Sequence, residues 1–317
     1  MNYKPIIILA GEPNSIFSEI FFKSIKKKIK SPIILIASKD LIIAQLNQLG
    51  LKIDLNEIDL KSCLQNKLKS INILNVDFKF KKPFENISSK SNKYISQCFN
   101  LALKLLKKKI TNKFINGPIS KKHFLNKKFL GITEFLAKKT NTKKYAMLIY
   151  NKELSVLPIT THLPIKLVSK KISKDLIIHK INLVNDFFKN TLKKKPVMGV
   201  LGINPHCETI DQYDEDKQII MPAIKFLKKK GLDIKGPFPS DTMFLKQNRN
   251  FYNVIIGMYH DQVLTPIKTL YEYDAINITL GLPFIRISPD HGPNEKMIKK
   301  NLSDPSSLIK AIKFLDF

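Results

Sequence analysis

The first third of the sequence alternates short apolar runs with amphipathic stretches, and this alternation constrains the fold more than any other feature. Residues 5–10 and 32–37 are apolar, β-branched runs with the length of a buried strand. Helical spacing follows each run, at residues 16–29 and 41–49. Strands that alternate with helices in this way are typical of a mainly parallel sheet covered by helices on both faces.

The middle of the chain departs from this alternation. Residues 145–150 and 154–160 are two apolar runs separated by three polar residues, which predicts an antiparallel hairpin. Residues 167–190 have helical spacing throughout and predict one long helix. Because 317 residues exceed the usual size of a single hydrophobic core, we expect an α/β protein of two domains.

The composition excludes several classes of protein. The longest apolar runs are far shorter than a helix that spans a bilayer, and the first residues lack the pattern of a secretory signal peptide. The three cysteines are widely spaced and odd in number, so they indicate no disulfide framework and suit a reducing compartment. We therefore expect a cytoplasmic protein without a membrane partner.

The formal net charge of +28 raises the question of a nucleic-acid partner. The 54 basic residues include only two arginines, Arg249 and Arg286, although arginine is the side chain best suited to phosphates and base edges. The lysines lie in short, scattered runs without interleaved aromatic residues. We expect a solvated, lysine-rich surface that attracts anionic substrates in general and has no specific nucleic-acid partner.

Three of the six histidines share a position relative to the apolar runs. His162, His206 and His260 each come just after such a run, where open α/β sheets place ligands and catalytic groups. Three imidazoles can bind a divalent metal and leave coordination positions for a substrate. Three separate loop histidines bonded to the backbone explain the same positions, and no short metal-binding motif decides between the two interpretations. Asp261 can orient the adjacent imidazole, bind the metal or cap a helix.

A second set of polar residues lies towards the end of the chain. Lys268 and Asn277 come soon after the third histidine, and Arg286 closes an apolar segment in a chain that otherwise uses lysine. A guanidinium group binds carboxylate or phosphate through two parallel hydrogen bonds, which an ammonium group cannot do. Arg286 therefore belongs either to an anion site or to a structural salt bridge. His291 is either a further functional residue or a helix cap.

Several short motifs occur in an order that resembles one enzyme family. They are Asn-Pro-His at 204–206, Gly-Pro-Phe-Pro-Ser-Asp-Thr at 236–242, Met-Tyr-His-Asp-Gln at 258–262, Leu-Gly-Leu-Pro-Phe-Ile-Arg at 280–286 and Ser-Pro-Asp-His-Gly at 288–292. The match is extended by Gly-Glu-Pro at 11–13, Gly-Pro at 117–118 with Lys121, Thr-Glu-Phe-Leu at 133–136 and Thr-His-Leu-Pro at 161–164. Each motif alone is weak evidence, but the ordered set resembles the 4-hydroxythreonine-4-phosphate dehydrogenase family of pyridoxal phosphate biosynthesis.

The resemblance implies a fold like that of the isocitrate and isopropylmalate dehydrogenases, with two α/β domains, a cleft between them and a homodimeric assembly. On this basis we assign residues 1–125 and 270–317 to a first α/β domain on the cofactor side. Residues 126–269 then form a second α/β domain, which carries the metal-binding histidines and the dimer interface.

The same resemblance implies the chemistry and the site residues. The family oxidises the secondary hydroxyl of 4-phosphooxy-L-threonine with NAD, and loss of carbon dioxide then gives 3-amino-2-oxopropyl phosphate. One divalent metal ion, zinc, magnesium or cobalt, would be bound by ligands from both subunits: His162, His206 and His260. The phosphorylated substrate would be contacted by four residues: Thr133, Lys268, Asn277 and Arg286.

The sequence departs from the family pattern at several places. Ile132 stands where family members often carry a histidine that contacts the substrate, and residues 14–18 lack the glycines expected there. Pro293 and Asn294 replace a pair of small residues, and Lys299 replaces a glycine near the cofactor. These departures leave open a dehydrogenase of the same fold that acts on a phosphorylated threonate or erythronate, and a non-catalytic ligand-binding relative.

Overall fold

The computed structural model describes residues 3–65, 67–125, 128–210, 212–272, 274–289 and 292–317. The chain forms two compact units: unit 1 is Met1–Leu136 with Pro283–Phe317, and unit 2 is Ala137–Leu282. The strands are, in chain order, β1 (Ile6–Leu9), β2 (Ile33–Ala37), β3 (Asn56–Glu57), β4 (Ile71–Asn75), β5 (Lys113–Asn116), β6 (Ala146–Tyr150), β7 (Ser155–Pro158), β8 (Met198–Leu201), β9 (Ile234–Phe238), β10 (Val254–Gly257), β11 (Ile276–Leu280) and β12 (Ile285–Pro289). The α-helices are α1 (Phe17–Ile25), α2 (Lys39–Gln48), α3 (Leu60–Leu64), α4 (Asn92–Lys107), α5 (Ile132–Lys139), α6 (Val168–Lys171), α7 (Lys174–Asn190), α8 (Met221–Lys229), α9 (Ser240–Met243), α10 (Lys246–Arg249), α11 (His260–Tyr271) and α12 (Ser306–Leu315).

Unit 1 contains a parallel sheet in the strand order β3-β4-β2-β1-β5-β12. Every residue of β1 and β2 is buried, because helices cover a parallel sheet on its faces. α4 packs against β1 and β2, while α12 packs against β5 and β12. The α/β class that the alternating pattern predicts is therefore confirmed.

Unit 2 contains strands in the order β11-β6-β7-β10-β8-β9. β6 is antiparallel to both β11 and β7, which confirms the hairpin predicted at residues 145–160. β7, β10, β8 and β9 then run parallel to one another. α11 packs against β7 and β10, and α7 packs against α8 and β6.

The single long helix predicted at residues 167–190 is wrong. α6 ends at Lys171 and α7 begins at Lys174. Between them Ser173 has an extended backbone, with φ −148° and ψ 156°, and its Oγ accepts a hydrogen bond from Leu176 N at 3.2 Å. This is a helix N-cap, in which the serine side chain satisfies an N–H group of the first turn.

Among the described residues, no helix combines the length and the apolar composition that crossing a bilayer requires.

Candidate active site

The three predicted metal-binding histidines follow neighbouring strands of unit 2. His162 comes after β7, His206 comes after β8, and His260 is the first residue of α11, soon after β10. β10 lies between β7 and β8 and is parallel to both. The carboxyl ends of the three strands therefore share one edge of the sheet, where α/β sheets place their ligands.

Two of the three imidazoles lie close together in the single chain. The ring centroids of His162 and His260 are 5.7 Å apart, and the ring planes are tilted by 37°. Both side chains are partly buried, whereas His206 is exposed. Within the described parts of the chain, no group of three or more His, Cys, Asp or Glu side chains is arranged to hold a metal ion.

The backbone of two of these histidines is strained. His162 has φ 50° and His206 has φ 56°, both in the left-handed region that glycine favours. For other residues this conformation costs about 1–2 kcal/mol. Such strain persists only where surrounding contacts hold the loop, and it is concentrated at functional sites.

Asp261 orients the neighbouring imidazole. Its Oδ1 lies 2.7 Å from Nδ1 of His260, so that Nδ1 donates to the carboxylate and the lone pair of Nε2 is left for a ligand. Asp261 does not occupy the N-cap position, because the helix begins at His260 and Tyr259 is the residue before it. Of the three roles predicted for Asp261, the geometry favours the orienting one.

Arg286, on β12, is the centre of a buried polar cluster in unit 1. Its side chain is 3% exposed. Nε donates to Asn116 Oδ1 at 2.7 Å, and Nη1 donates to Thr133 Oγ1 at 3.4 Å. Burial lowers the pKa of Arg286 to about 10, and the negative charge of Glu134 opposes this shift. The guanidinium therefore stays charged at neutral pH while it is held to β5 and to the first turn of α5.

Asn116 is a member of this buried cluster that we did not predict from the sequence. It ends β5 immediately before the Gly-Pro motif, and its Nδ2 donates to Gly117 O at 2.9 Å. That bond fixes the amide so that its oxygen is presented to the guanidinium of Arg286. The available signal was an amide side chain at the carboxyl end of an apolar run, the same signal that identifies the histidines.

The other two predicted substrate contacts, Lys268 and Asn277, belong to unit 2. Lys268 is exposed on α11, roughly two helical turns after His260. Asn277 lies in β11, and its buried Oδ1 accepts no hydrogen bond from the described residues. A buried acceptor without a donor costs roughly 1–3 kcal/mol, which a donor group on a ligand would remove.

Two of the departures from the family pattern meet at the start of α1. Residues 14–18 are all buried, and Ile16 N donates to Pro293 O at 3.3 Å.

Lys299, a further departure, has φ 70°, in the left-handed region. Its backbone therefore has the conformation for which glycine is the ordinary residue.

Ile132 is the first residue of α5, directly before Thr133, and is partly buried. An isoleucine side chain cannot donate to a phosphate or a carboxylate, so this position contributes only an apolar surface beside Thr133. His291 lies outside the described residues.

Known proteins define the class of this chain. A 4-hydroxythreonine-4-phosphate dehydrogenase of Sulfurihydrogenibium sp. (strain YO3AOP1) is 35% identical over 97% of this chain and 96% of its own length. A D-threonate 4-phosphate dehydrogenase of Pectobacterium atrosepticum is also 35% identical, but over 62% of this chain and 61% of its own length. The crystal structure of a 4-hydroxythreonine-4-phosphate dehydrogenase from Klebsiella pneumoniae matches with a TM-score of 0.84 and 27% identity, covering 99% of this chain and 97% of that one. Fold and relatives together define an α/β dehydrogenase.

The family is defined more narrowly by its sequence model. The model described as pyridoxal phosphate biosynthetic protein PdxA matches residues 28–315. The chain belongs to this family, and the resemblance inferred from the ordered motifs is confirmed.

Proposed function

We propose that the protein oxidises 4-phosphooxy-L-threonine with NAD and a divalent metal ion, and that loss of carbon dioxide then gives 3-amino-2-oxopropyl phosphate for pyridoxal 5'-phosphate biosynthesis. The observation that carries this proposal is the placement of His162, His206 and His260 after three neighbouring parallel strands. We further propose a cytoplasmic homodimer that shares its metal ligands between subunits. In such a dimer one chain need not assemble all three imidazoles.

The donor set fits a divalent cation. Ring centroids 5.7 Å apart allow one nitrogen of His162 and one of His260 to reach a common ion with bonds of about 2.1 Å. Asp261 leaves Nε2 of His260 available by engaging Nδ1. Imidazoles suit zinc and cobalt, while oxygen atoms of the substrate would complete the coordination of magnesium. When bound, the cation would supply Lewis-acid stabilisation of negative charge on the substrate oxygens, and NAD would accept the hydride.

The remaining predicted residues bind and orient the substrate in this proposal. Arg286 supplies a fixed positive charge in a buried cluster, where its interaction with a phosphate is stronger than in water. Thr133 contributes its hydroxyl beside the guanidinium, and Lys268 adds a second positive charge. Asn277 accepts a hydrogen bond from a donor group of the substrate. These contacts fix the reacting hydroxyl in the geometry that hydride transfer requires.

The direct test is NADH production from 4-phosphooxy-L-threonine by the purified, metal-free protein, before and after addition of zinc, magnesium or cobalt. We expect turnover only when a divalent metal is present, because the imidazoles cannot themselves stabilise the negative charge on the substrate oxygens. Absence of turnover with all three metals, together with no metal retained on purification, would refute the proposal.

Ile132 is the position at which we expect any change in substrate selectivity. The apolar side chain beside Thr133 stands where the family often has a substrate-contacting histidine, and a D-threonate 4-phosphate dehydrogenase is among the relatives at 35% identity. We therefore propose phosphorylated threonate or erythronate as the alternative substrate, since each keeps the phosphate and a secondary hydroxyl. A kcat/KM about tenfold or more higher for one of these would replace the first proposal while leaving the metal site intact.

A non-catalytic protein that binds nucleic acid is the alternative from another class, and it is motivated only by the charge of +28. Appreciable affinity near physiological salt that falls steeply as salt is raised would support this alternative. We expect negligible binding, because the basic residues are scattered lysines.

A further inference from the structure

One buried side chain, Gln262, joins the two strand ends that lead to His206 and His260. Its Oε1 accepts a hydrogen bond from Met258 N at 2.6 Å, and its Nε2 donates to Gly202 O at 2.7 Å. Met258 lies two residues before one histidine, and Gly202 lies four residues before the other. The side chain is 9% exposed, so neither bond competes freely with water.

Gly257 and Gly202 leave room for two buried polar side chains, Gln262 and Asp216. A Cβ atom at Gly257 would lie 2.9 Å from Oε1 of Gln262, and a Cβ atom at Gly202 would lie 2.6 Å from Oδ1 of Asp216. Both distances are shorter than real Cβ contacts, so a side chain at either position would push these polar groups out of place. The absence of a side chain at these two positions therefore allows Gln262 and Asp216 to lie where they do.

Asp216 fixes the loop that carries His206. Its Oδ1 accepts from Ile203 N at 2.9 Å, and its Oδ2 accepts from Asn204 N at 3.1 Å and from Asn204 Nδ2 at 3.0 Å. The carboxylate is fully buried. Three charge-assisted bonds to two successive residues hold the chain on the approach to Pro205 and the exposed histidine.

The loop that leads to His162 is also hydrogen-bonded to Met258. Thr160 lies two residues before His162, and its Oγ1 donates to Met258 O at 2.7 Å. Met258 thus uses its carbonyl for the Thr160 loop and its N–H for Gln262. One continuous set of buried bonds links all three loops.

We propose that Gln262 is a positioning residue of the metal site. Its hydrogen bonds set the relative position of the loops that carry His162, His206 and His260. The inference rests on the metal role proposed above. A primary amide suits this task because it offers one acceptor to Met258 N and one donor to Gly202 O. His206, exposed and in a left-handed backbone, depends on such contacts for its geometry.

The test compares Gln262→Met with a matched control, Gln45→Met, in the full-length protein. Gln45 is also buried, at 1% exposure, and its Nε2 also bridges two loops by donating to Pro13 O and Pro83 O, each at 2.8 Å. It lies in unit 1, whereas the histidines lie in unit 2. Methionine keeps the length of the side chain and removes the bonds in both variants, so a general loss of stability affects both.

Zinc affinity of metal-free protein, measured by calorimetric titration, separates positioning from stability. We expect Gln262→Met to weaken zinc binding by about 10- to 100-fold, as loss of a group that orients a metal ligand does, and Gln45→Met to leave it within about twofold. Equal zinc affinity in wild type and Gln262→Met would overturn the inference and leave the proposed function standing. An equal loss in both variants would also overturn it. A wild-type protein that binds neither zinc, cobalt nor magnesium would remove the proposed metal role and this inference together.

Gln262→Glu provides a second variant in case the methionine variant does not fold. The glutamate keeps an acceptor for Met258 N but cannot donate to Gly202 O when ionised. With cobalt bound, we expect the visible absorption of Gln262→Glu to differ in energy or intensity from that of wild type, because the ligand geometry changes. An unchanged spectrum together with unchanged cobalt affinity would contradict the positioning role.

Discussion

The two units hold their proposed site residues in opposite ways. In unit 1, Arg286 is buried and is held directly by Asn116 and Thr133. In unit 2, His206 is exposed, and the buried groups that fix its loop bond to the backbone before it. A charged anion receptor gains strength from a water-excluded, preorganised setting, whereas a catalytic metal ion must keep open coordination positions that the substrate can reach. Substitutions at Arg286 and its partners should therefore change stability and KM together, and a substitution at His206 should change turnover with little effect on stability.

His206→Ala has the largest expected effect and tests the unit 2 side of this contrast. Loss of one proposed metal ligand should lower kcat/KM by about 1000-fold or more, equivalent to about 4 kcal/mol of transition-state stabilisation. The free energy of unfolding should change by less than about 0.5 kcal/mol, because the side chain is exposed. Steady-state NADH production and urea unfolding measure the two quantities.

His179→Ala is the control for this substitution. His179 is also in unit 2, on α7, and is not at the strand ends that lead to the three histidines. We expect normal turnover in this variant. Normal turnover in His206→Ala as well would mean that the three-histidine site is wrong.

Arg286→Lys tests the unit 1 side. Lysine keeps the charge but cannot reproduce the Nε bond to Asn116 together with the Nη1 bond to Thr133. A hydrogen bond to a charged group contributes about 1.5–3 kcal/mol, so kcat/KM should fall by about 10- to 100-fold, chiefly through KM, and stability should fall with it. Arg249→Lys is the matched control, because Arg249 donates to Phe244 O at 2.8 Å in unit 2 and has no proposed role in binding. An unchanged KM in Arg286→Lys would assign the arginine a purely structural role.

Asn116→Ala should have a smaller effect of the same kind. The guanidinium keeps its charge and its contact with Thr133, but it loses the acceptor that fixes Nε. We expect KM for the phosphorylated substrate to rise by about tenfold and the free energy of unfolding to fall by about 1–3 kcal/mol. In the double variant with Arg286→Lys, the two effects should be less than additive because the residues are in contact. Full additivity would show that Asn116 does not act through Arg286.

The same two sites show what the sequence could predict and what it could not. The position of each histidine after a strand was predictable because each follows an apolar run, and a strand in a buried sheet has that signature whatever lies beside it. The hydrogen bonds that hold the two sites were not predictable, because the bonded residues are distant in sequence. Arg286 and Asn116 are separated by 170 residues, and Gln262 and Gly202 by 60. The break between α6 and α7 was missed for a local reason, since apolar spacing continues through Ser173 although its side chain caps the second helix.

Lys299→Gly has the smallest expected effect and asks whether a departure from the family pattern in unit 1 changes function or only stability. With φ 70°, Lys299 already has the backbone conformation of the glycine that it replaces. Glycine should therefore raise the free energy of unfolding by about 0.5–1 kcal/mol, by relieving the strain of a left-handed lysine. Lys300→Gly, at a neighbouring position without positive φ, should instead lower it because glycine adds entropy to the unfolded chain. We expect the KM for NAD to change by less than about twofold in Lys299→Gly. The backbone conformation stays the same in this variant, so any contact between main-chain groups and the cofactor is kept. A larger fall in that KM would show that the lysine side chain itself obstructs the cofactor, so that this departure in unit 1 changes function.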